Sequence, residues 1–229
     1  MMRLKVIGSG SSGNTYLLST DTETLVLDAG MPSKDTKIAL DFNVSRIAGV
    51  LVTHIHNDHS KYAHEYEKLG IPVWKPYEDT EHKILTKKFK TFEVTCFDVE
   101  HDGTECRAFL IKVDGQTILY ATDFEYIKYV FAPKIEINHM IIEANYSKEF
   151  ISDSAENREH VFRGHSELQT TINFVKANKT NSLCSIVLCH LSNKNAEPIY
   201  FINEVQKVSE CVTCVAYKGL ELELTDCPF

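Results

Sequence analysis

The sequence has no hydrophobic run that could span a membrane and no surplus of positive charge. No window approaches the roughly 18 consecutive apolar residues of a transmembrane helix. The first residues, MMRLKVIGSGSSGN, lack the apolar core and cleavage site of a secretory signal. The formal net charge is −8, so bulk charge does not attract a polyanion, and nucleic acid has to be bound through local features or metal ions. These absences predict a cytoplasmic protein with no membrane partner.

A disulfide framework and interdomain linkers are also missing. The seven cysteines are an odd number, and only Cys211 and Cys214 lie close together. We therefore expect reduced thiols, and we interpret the single CxxC as part of a buried strand, although it also matches half of a zinc ribbon. No Pro-, Gly- or Ser-rich linker and no repeat interrupts the 229 residues. This predicts one domain over 1–229.

Short β-rich runs bounded by Gly, Asp or Ser alternate with helical patterns. The predicted strands are 4–7, 15–18, 24–27, 49–53, 94–99, 107–113, 117–121, 184–189, 212–217 and 220–224. The predicted helices are 33–42, 61–69, 166–177 and 197–208. Asp114-Gly115 predicts a hairpin between the sixth and seventh strands. Strands that come first in meanders and later alternate with helices predict an α/β fold of two packed sheets with helices outside.

Side chains with metal-binding chemistry follow five of the predicted strands. They are Asp28, His54, His101, Asp123 and His190. Five strand ends that each supply a histidine or an aspartate are what a site at one edge of packed sheets requires. Imidazole and carboxylate ligands bind Zn²⁺, and Mn²⁺ where oxygen ligands are more numerous. The strand ends therefore predict a metal site.

The run THIHNDHS places three histidines and an aspartate within six positions. On a turn, His54 and His56 lie on the same side, and Asp58 and His59 can face a second ion. Two ions about 3.5–4 Å apart can hold a bridging hydroxide and stabilise the attacking and leaving oxygens of a displacement. A ligand-free interpretation would have to accommodate four neighbouring polar groups, so we favour two ions.

THIHNDH resembles the HxHxDH signature of the metallo-β-lactamase superfamily, and the other strand-end residues follow in that family's order. The resemblance extends from Gly8 to Leu224. It implies a four-layered αββα sandwich, with two mixed β-sheets and helices on the outer faces, and a site for two divalent ions. The ligands it implies are His54, His56 and His101 on one ion, Asp58, His59 and His190 on the other, and Asp123 bridging. It also implies that Asp28 lies behind the ligands and orients them.

Three stretches indicate which branch of the superfamily the chain resembles. GSGSSGN at 8–14, GHSE at 164–167 and LCHLSNKNAEP at 188–198 resemble the ribonuclease Z-like and YycJ-like phosphodiesterases. The 67 residues between Asp123 and His190 leave no room for a large cap domain, and no insertion matches the arm of ribonuclease Z. The compact YycJ-like exonucleases fit best. This resemblance implies that His165 protonates the leaving oxygen, while Asp58 or Asp123 acts as base; His165 is also consistent with a plain helix N-terminus.

Two stretches are candidate substrate contacts. The loop GSGSSGN can form a phosphate-binding nest, although it is also typical of a plain turn. Its candidate contact residues are Ser9, Ser11, Ser12 and Asn14. The basic run at 83–90, with Phe89 and Phe92, is consistent with a track for a single strand or with a solvated edge.

We therefore expect a dinuclear, metal-dependent phosphodiesterase, first of all an exonuclease on single-stranded DNA, with zinc the favoured metal and manganese the alternative. A cyclic-nucleotide phosphodiesterase, a function also found in phage proteins that destroy host defence signals, is the second hypothesis. A non-catalytic metal-binding module is the third. A homodimer, in which a partner completes the rim of the site, is compatible with the sequence.

Overall fold

The computed structural model of the protein describes residues 1–151 and 164–225. Its strands are β1 (Met2–Gly8), β2 (Thr15–Ser19), β3 (Thr24–Leu27), β4 (Ile47–Leu51), β5 (Val73–Trp74), β6 (Ile84–Phe89), β7 (Phe92–Val99), β8 (Cys106–Val113), β9 (Gln116–Ala121), β10 (His139–Glu143), β11 (Ser185–Cys189), β12 (Val212–Val215) and β13 (Glu221–Leu224). Its α-helices are α1 (Ser33–Ala39), α2 (Asn57–Ser60), α3 (Ala63–Lys68), α4 (Leu168–Asn178) and α5 (Pro198–Ser209). None of these helices combines the length and apolar character needed to cross a bilayer.

The strands form two mixed sheets, as predicted. Sheet 1 has the order β13-β1-β2-β3-β4-β5, and sheet 2 has the order β12-β11-β10-β9-β8-β7-β6. In sheet 1, the antiparallel strands β1, β2 and β3 are followed by the parallel strands β4 and β5. In sheet 2, β6 to β9 are antiparallel, and β9 to β12 are parallel.

Three apolar clusters hold four layers together. Side chains alternate between the two faces of a strand, so Leu18 of β2 packs between the sheets while Leu17 faces outward into a cluster that includes Tyr66 of α3. On sheet 2, Leu110 faces outward into a cluster that includes Phe201 of α5. Because helices cover the outer faces, strands inside the sheets, such as β3, β4, β9 and β10, are buried at every position. The predicted αββα sandwich is confirmed.

The hairpin predicted at Asp114-Gly115 joins β8 to β9. Val113 pairs with Gln116 across the turn, and the two central residues have φ of 50° and 77°. Positive φ at both positions is the pattern of a type I′ turn, whose twist matches that of the flanking strands. A local sequence signal therefore sets the register of two neighbouring strands.

The sequence patterns missed three strands: β5, β6 and β10. β6, which carries most of the basic run, is the edge strand of sheet 2, where lysines discourage pairing with another chain. Phe89 and Phe92 at the end of this hairpin are 3% and 0% exposed and belong to the core between the sheets. The hypothesis that these two rings stack on a bound strand is therefore wrong.

Among the six cysteines that the structure describes, one departs from the expectation of reduced thiols. Cys96, Cys106 and Cys189 are buried free thiols, and Cys211 and Cys214 are half-buried and also free. Cys184, which directly precedes β11, is disulfide-bonded. A single bond of this kind differs from the framework of bonds that holds small secreted domains together.

Candidate metal centre

The candidate ligands follow strands that end at one edge of the sandwich. His101 follows β7, Asp123 follows β9 and His190 follows β11 of sheet 2, while the THIHNDH run follows β4 of sheet 1. Asp123 and His190 have φ of 51° and 52°, in the left-handed region that residues other than glycine rarely adopt. Such unfavourable backbone conformations concentrate at functional sites. The structure therefore brings both halves of the predicted ligand set to one place.

The first set of ligand atoms comes from His54, His56, His101 and Asp123, and these atoms all lie within 4.8 Å of one another. Nδ1 of His56 is 3.1 Å from Nε2 of His54 and 3.1 Å from Nε2 of His101. Oδ2 of Asp123 is 3.4 Å from Nε2 of His54 and 4.0 Å from Nε2 of His101. Three imidazole nitrogens and one carboxylate oxygen form a donor set that suits Zn²⁺.

The second set comes from Asp58, His59, Asp123 and His190, and its ligand atoms also lie within 4.8 Å of one another. Nε2 of His59 is 3.3 Å from Oδ2 of Asp58 and 3.2 Å from Oδ2 of Asp123. Nε2 of His190 is 3.3 Å from Oδ2 of Asp58 and 3.5 Å from Oδ1 of Asp123. Because Asp123 belongs to both sets, its two oxygens can serve two ions at once.

Hydrogen bonds fix which nitrogen of two rings faces the site. Nδ1 of His101 is 2.6 Å from the carbonyl oxygen of Gly164, and Nδ1 of His59 is 2.7 Å from Oδ2 of Asp28. A carbonyl and a carboxylate only accept hydrogen bonds, so Nδ1 carries the proton in both rings. When such a ring is neutral, its Nε2 presents a lone pair to the ligand set, as metal coordination requires.

Asp28 is fully buried and receives hydrogen bonds from three residues. Oδ1 accepts from the backbone N–H and the hydroxyl of Thr53, at 2.8 Å and 3.0 Å, and Oδ2 accepts from His59 and from the Tyr120 hydroxyl at 2.5 Å. Because the Thr53 proton goes to Asp28, its oxygen accepts from Nδ1 of His54 at 3.0 Å. The predicted orienting role of Asp28 stays a prediction, and these contacts show how it would act on one ligand of each set.

Sequence reasoning missed Glu143, the last residue of β10. Its carboxylate is 0% exposed, and Oε2 accepts hydrogen bonds from the backbone N–H groups of Phe124 and Ser166, at 3.1 Å and 3.2 Å. Oε1 lies 2.8 Å from Nδ1 of His165 and 3.4 Å from Nδ1 of His190. Glu143 therefore contacts the Nδ1 atoms of His190, a proposed ligand, and of His165, the proposed proton donor.

The signal for Glu143 was present in the sequence. An apolar run that ends in an acid, HMIIE at 139–143, has the same form as the runs before Asp28 and Asp123. Donor types alone would also allow Asp123, Glu143, His165 and His190 to hold a metal. We interpret these four as a hydrogen-bonded group, because the Glu143 oxygens are already occupied by backbone and imidazole donors.

Burial and the neighbouring charges shift the pKa values of the histidines and carboxylates in the site. Burial, reinforced by the neighbouring His59, lowers the pKa of His54 well below its usual range, so that this ring is neutral. Burial alone would also lower the pKa of His190, but the carboxylates of Asp123 and Asp58 outweigh it and raise that pKa to about 10. Burial would raise the pKa of Asp123, yet the imidazoles of His190 and His59 hold it well below its usual range.

The residues present fit two divalent cations. Two carboxylates converge with five imidazoles in a site where most of the side chains are buried, and buried carboxylates need a counter-charge. Protons on His59 and His190 supply this charge in the ligand-free chain, since the pKa of both rings is raised. Divalent ions would displace those protons, as metal binding to histidine does generally.

The glycine-rich loop after β1 packs against the site from below. Oγ of Ser9 accepts a hydrogen bond from the backbone N–H of His190 at 3.0 Å, and Nδ2 of Asn14, which is fully buried, lies 2.9 Å from Nε2 of His59. The exposed members of the loop are Ser11 and Ser12. The predicted contact of these four residues with substrate stays a prediction, for which the two exposed serines are the accessible candidates.

Gly30 is required for the close approach of two site loops, so Gly30→Ala is expected to lower the unfolding free energy and the metal content together. A Cβ at Gly30 would lie 1.7 Å from the carbonyl oxygen of Asp58 and 2.6 Å from the backbone nitrogen of Asn14. Backbone atoms cannot rotate away, so we expect the upper end of the overpacking range, about 3 kcal/mol or roughly 6–12 °C in Tm. Thermal unfolding and metal analysis measure both effects.

Gly49→Ala is the matched control for this prediction. A Cβ at Gly49 would meet the Phe89 ring in the core at 2.3 Å, so we expect a lower Tm with unchanged metal content. A Gly30→Ala protein that keeps both its stability and its metals would contradict the tight apposition of these loops.

Comparisons with known proteins agree with this geometry. The family model described as the metallo-beta-lactamase superfamily matches residues 8–105, which include the THIHNDH run and His101. The chain is 30% identical to exodeoxyribonuclease YycJ of Bacillus anthracis, with 66% of this chain and 65% of that protein covered. The chain thus spans 65% of the length of that curated relative.

Solved structures show the same fold at low identity. The metallo-beta-lactamase fold protein YhfI from Bacillus subtilis superposes with a TM-score of 0.73 at 18% identity, covering 96% of this chain and 98% of that one. The short form of human tRNase Z superposes with a TM-score of 0.66 at 16% identity, covering 98% and 100%. These likenesses establish the architecture.

Proposed function

The chain carries a metallo-beta-lactamase superfamily domain, and from that premise we propose that the protein is a dinuclear metal-dependent phosphodiesterase that acts as an exonuclease on single-stranded DNA. The observation that carries the proposal is the pair of ligand sets that meet at Asp123. Two adjacent ions held in this way suit the displacement of one oxygen by another at phosphorus. The relative named as an exodeoxyribonuclease supports DNA as the polymer.

The proposed ions have a defined chemical task. When bound, they would lower the pKa of a coordinated water and offset the negative charge of the phosphate oxygens. We assign Zn²⁺, with Mn²⁺ as the alternative, because most of the ligands are imidazoles and the rest are carboxylates. Asp58, whose side chain is 24% exposed at the open side of the site, or Asp123 accepts the proton of the attacking water.

His165 is the proposed proton donor to the leaving oxygen. Its side chain is 17% exposed, and its Nδ1 lies 3.8 Å from Oδ1 of Asp123 and 2.8 Å from Oε1 of Glu143. Nδ1 donates a hydrogen bond to the Glu143 carboxylate, so we assign the transferred proton to Nε2. Burial would lower the pKa of His165, but Glu143 and then Asp123 outweigh burial and raise it, so the ring keeps the proton that it has to give.

A cyclic-nucleotide phosphodiesterase is the second candidate, and the charge at the rim favours it. Exposed carboxylates flank His101 at Glu100 and Asp102. Because a polyanion is repelled by an acidic rim while a small nucleotide brings a single phosphate, this distribution suits a small substrate. The chemistry at the metals is the same in both candidates.

A metal and substrate panel tests both candidates against a non-catalytic binding module. We expect two ions per chain by mass spectrometry, turnover of 5′- or 3′-labelled single strands, and loss of that turnover on treatment with a chelator, with recovery when Zn²⁺ or Mn²⁺ is added back. Hydrolysis of 3′,5′-cyclic nucleotides with intact strands would replace the exonuclease with the second candidate. Fewer than two ions and no hydrolysis of either substrate would overturn both enzymatic functions.

We place the proposed exonuclease in the cytoplasm, because its proposed DNA substrate lies there and because five of the six described cysteines are free thiols. A homodimer whose partner completes the rim stays a prediction. Sedimentation of the metal-loaded protein would decide it.

A further inference from the structure

Two buried tyrosines lie beneath the candidate metal centre, between the sheets. Tyr16 of β2 belongs to sheet 1, Tyr120 of β9 belongs to sheet 2, and both are 0% exposed. Their rings meet edge to face with centroids 5.5 Å apart, and Tyr120 is also stacked on Phe109 with centroids 6.4 Å apart. Aromatic packing of this kind fixes both rings, so each hydroxyl is held at a defined point.

The two hydroxyls reach across the sandwich in opposite directions. Tyr120 of sheet 2 donates at 2.5 Å to Oδ2 of Asp28, which follows β3 of sheet 1, and the same oxygen accepts from Nδ1 of His59. Tyr16 of sheet 1 donates at 2.9 Å to Oγ of Ser9, and that oxygen accepts from the backbone N–H of His190 in sheet 2. Each tyrosine is therefore connected to a candidate metal ligand through one intermediate residue, which is Asp28 for Tyr120 and Ser9 for Tyr16.

Both connections end on the same ligand set. His59 and His190 belong, with Asp58 and Asp123, to the second group of ligand atoms. This group spans the two sheets, so its geometry depends on how the sheets are positioned relative to each other. The first group is reached less directly, because Thr53, which donates to Asp28, lies between Asp28 and His54, and the Gly164 carbonyl contacts His101.

From these contacts we infer that Tyr16 and Tyr120 are positioning residues for the ion that Asp58, His59, Asp123 and His190 would hold, and that they influence the affinity of this ion more than that of the other. The inference rests on the proposed dinuclear metal site. Removing the Tyr120 hydroxyl leaves a buried lone pair of Asp28 without its donor and loosens the oxygen that orients His59. Residues hydrogen-bonded to metal ligands typically contribute 10- to 100-fold to metal affinity, so for a tyrosine one contact further back we expect the lower end of this range.

The test is Zn²⁺ titration of metal-stripped Tyr120→Phe protein in competition with a chromophoric chelator. Phenylalanine keeps the ring and its packing and removes only the hydroxyl. We expect two ions per chain in the wild type, and in the variant one ion bound about tenfold more weakly, with the other weakened to a smaller extent. Tyr16→Phe should weaken the same ion, and the double variant should weaken it further. The gain in Tm on adding Zn²⁺ should shrink accordingly.

Tyr66→Phe is the matched control. Tyr66 is equally buried and donates or accepts a hydrogen bond with Thr36 at 2.8 Å, in the outer cluster of sheet 1. Its variant should lose stability without any change in Zn²⁺ affinity. Equal weakening of both ions, unchanged affinity in Tyr120→Phe, or the same loss in Tyr66→Phe would overturn the inference. Because the readout is metal affinity, a selective loss supports the inference even if the wild type cleaves no phosphodiester.

Discussion

An Asp123→Asn variant is expected to lose at least one of its two ions and to hydrolyse its phosphodiester substrate about a thousandfold more slowly than the wild type, since metal ions supply several kcal/mol of transition-state stabilisation. The Asp123 side chain is the one shared by both ligand sets. Asparagine has a similar shape but offers a single neutral oxygen. Metal content by mass spectrometry and turnover of labelled single strands measure the two effects.

The backbone at this position tolerates the substitution, which makes the result interpretable. Asp123 has a φ of 51°, and asparagine is among the residues that adopt this region most readily. Asp114→Asn is the matched control, because Asp114 has a φ of 50° and lies exposed in the β8–β9 hairpin. It should keep both ions and full turnover. An Asp123→Asn protein with two tightly bound ions and normal turnover would refute the bridging assignment.

The residues that follow strands could be predicted because each depends on local sequence. An apolar run specifies a strand, and the first polar residue after it lies at the sheet edge, which is how His101, Asp123 and His190 were found. Glu143 follows the same rule, but the strand at 139–143 is not predicted, because HMIIE follows a stretch without a clear period. Because the strand at 139–143 is not predicted, Glu143 at its end is not predicted as a site residue either.

The partners behind the ligands could not be predicted, for a different reason. Tyr120 lies in a buried strand and has no local feature that marks it as a site residue. Its contact partner Asp28 is 92 positions away in the sequence. Which buried tyrosine meets which carboxylate depends on the packing distance and register between two sheets, and no local pattern encodes these. The same argument applies to the Gly164 carbonyl that holds His101 from 63 positions away.

His165→Ala is expected to slow hydrolysis of single-stranded DNA by about 10²- to 10⁴-fold, the usual contribution of a general acid, with both ions retained. His165→Asn should be equally slow, because its amide can still donate to Glu143 but cannot transfer a proton. Both variants should be close to the wild type on an activated nitrophenyl phosphodiester, whose leaving group needs little protonation. Single-turnover rates on the two substrates measure this difference, and loss of metal from His165→Ala would instead make His165 a ligand.

The pH profile tests the same assignment through Glu143, which is not among the proposed metal ligands and keeps its charge when metals bind. Glu143 raises the pKa of His165, and a general acid works only while protonated, so the wild-type rate should fall as pH rises through that raised pKa. Glu143→Gln removes the charge and lowers the pKa of His165, so the fall should begin at a lower pH. An alkaline limb that stays in place in Glu143→Gln would show that another group supplies the proton.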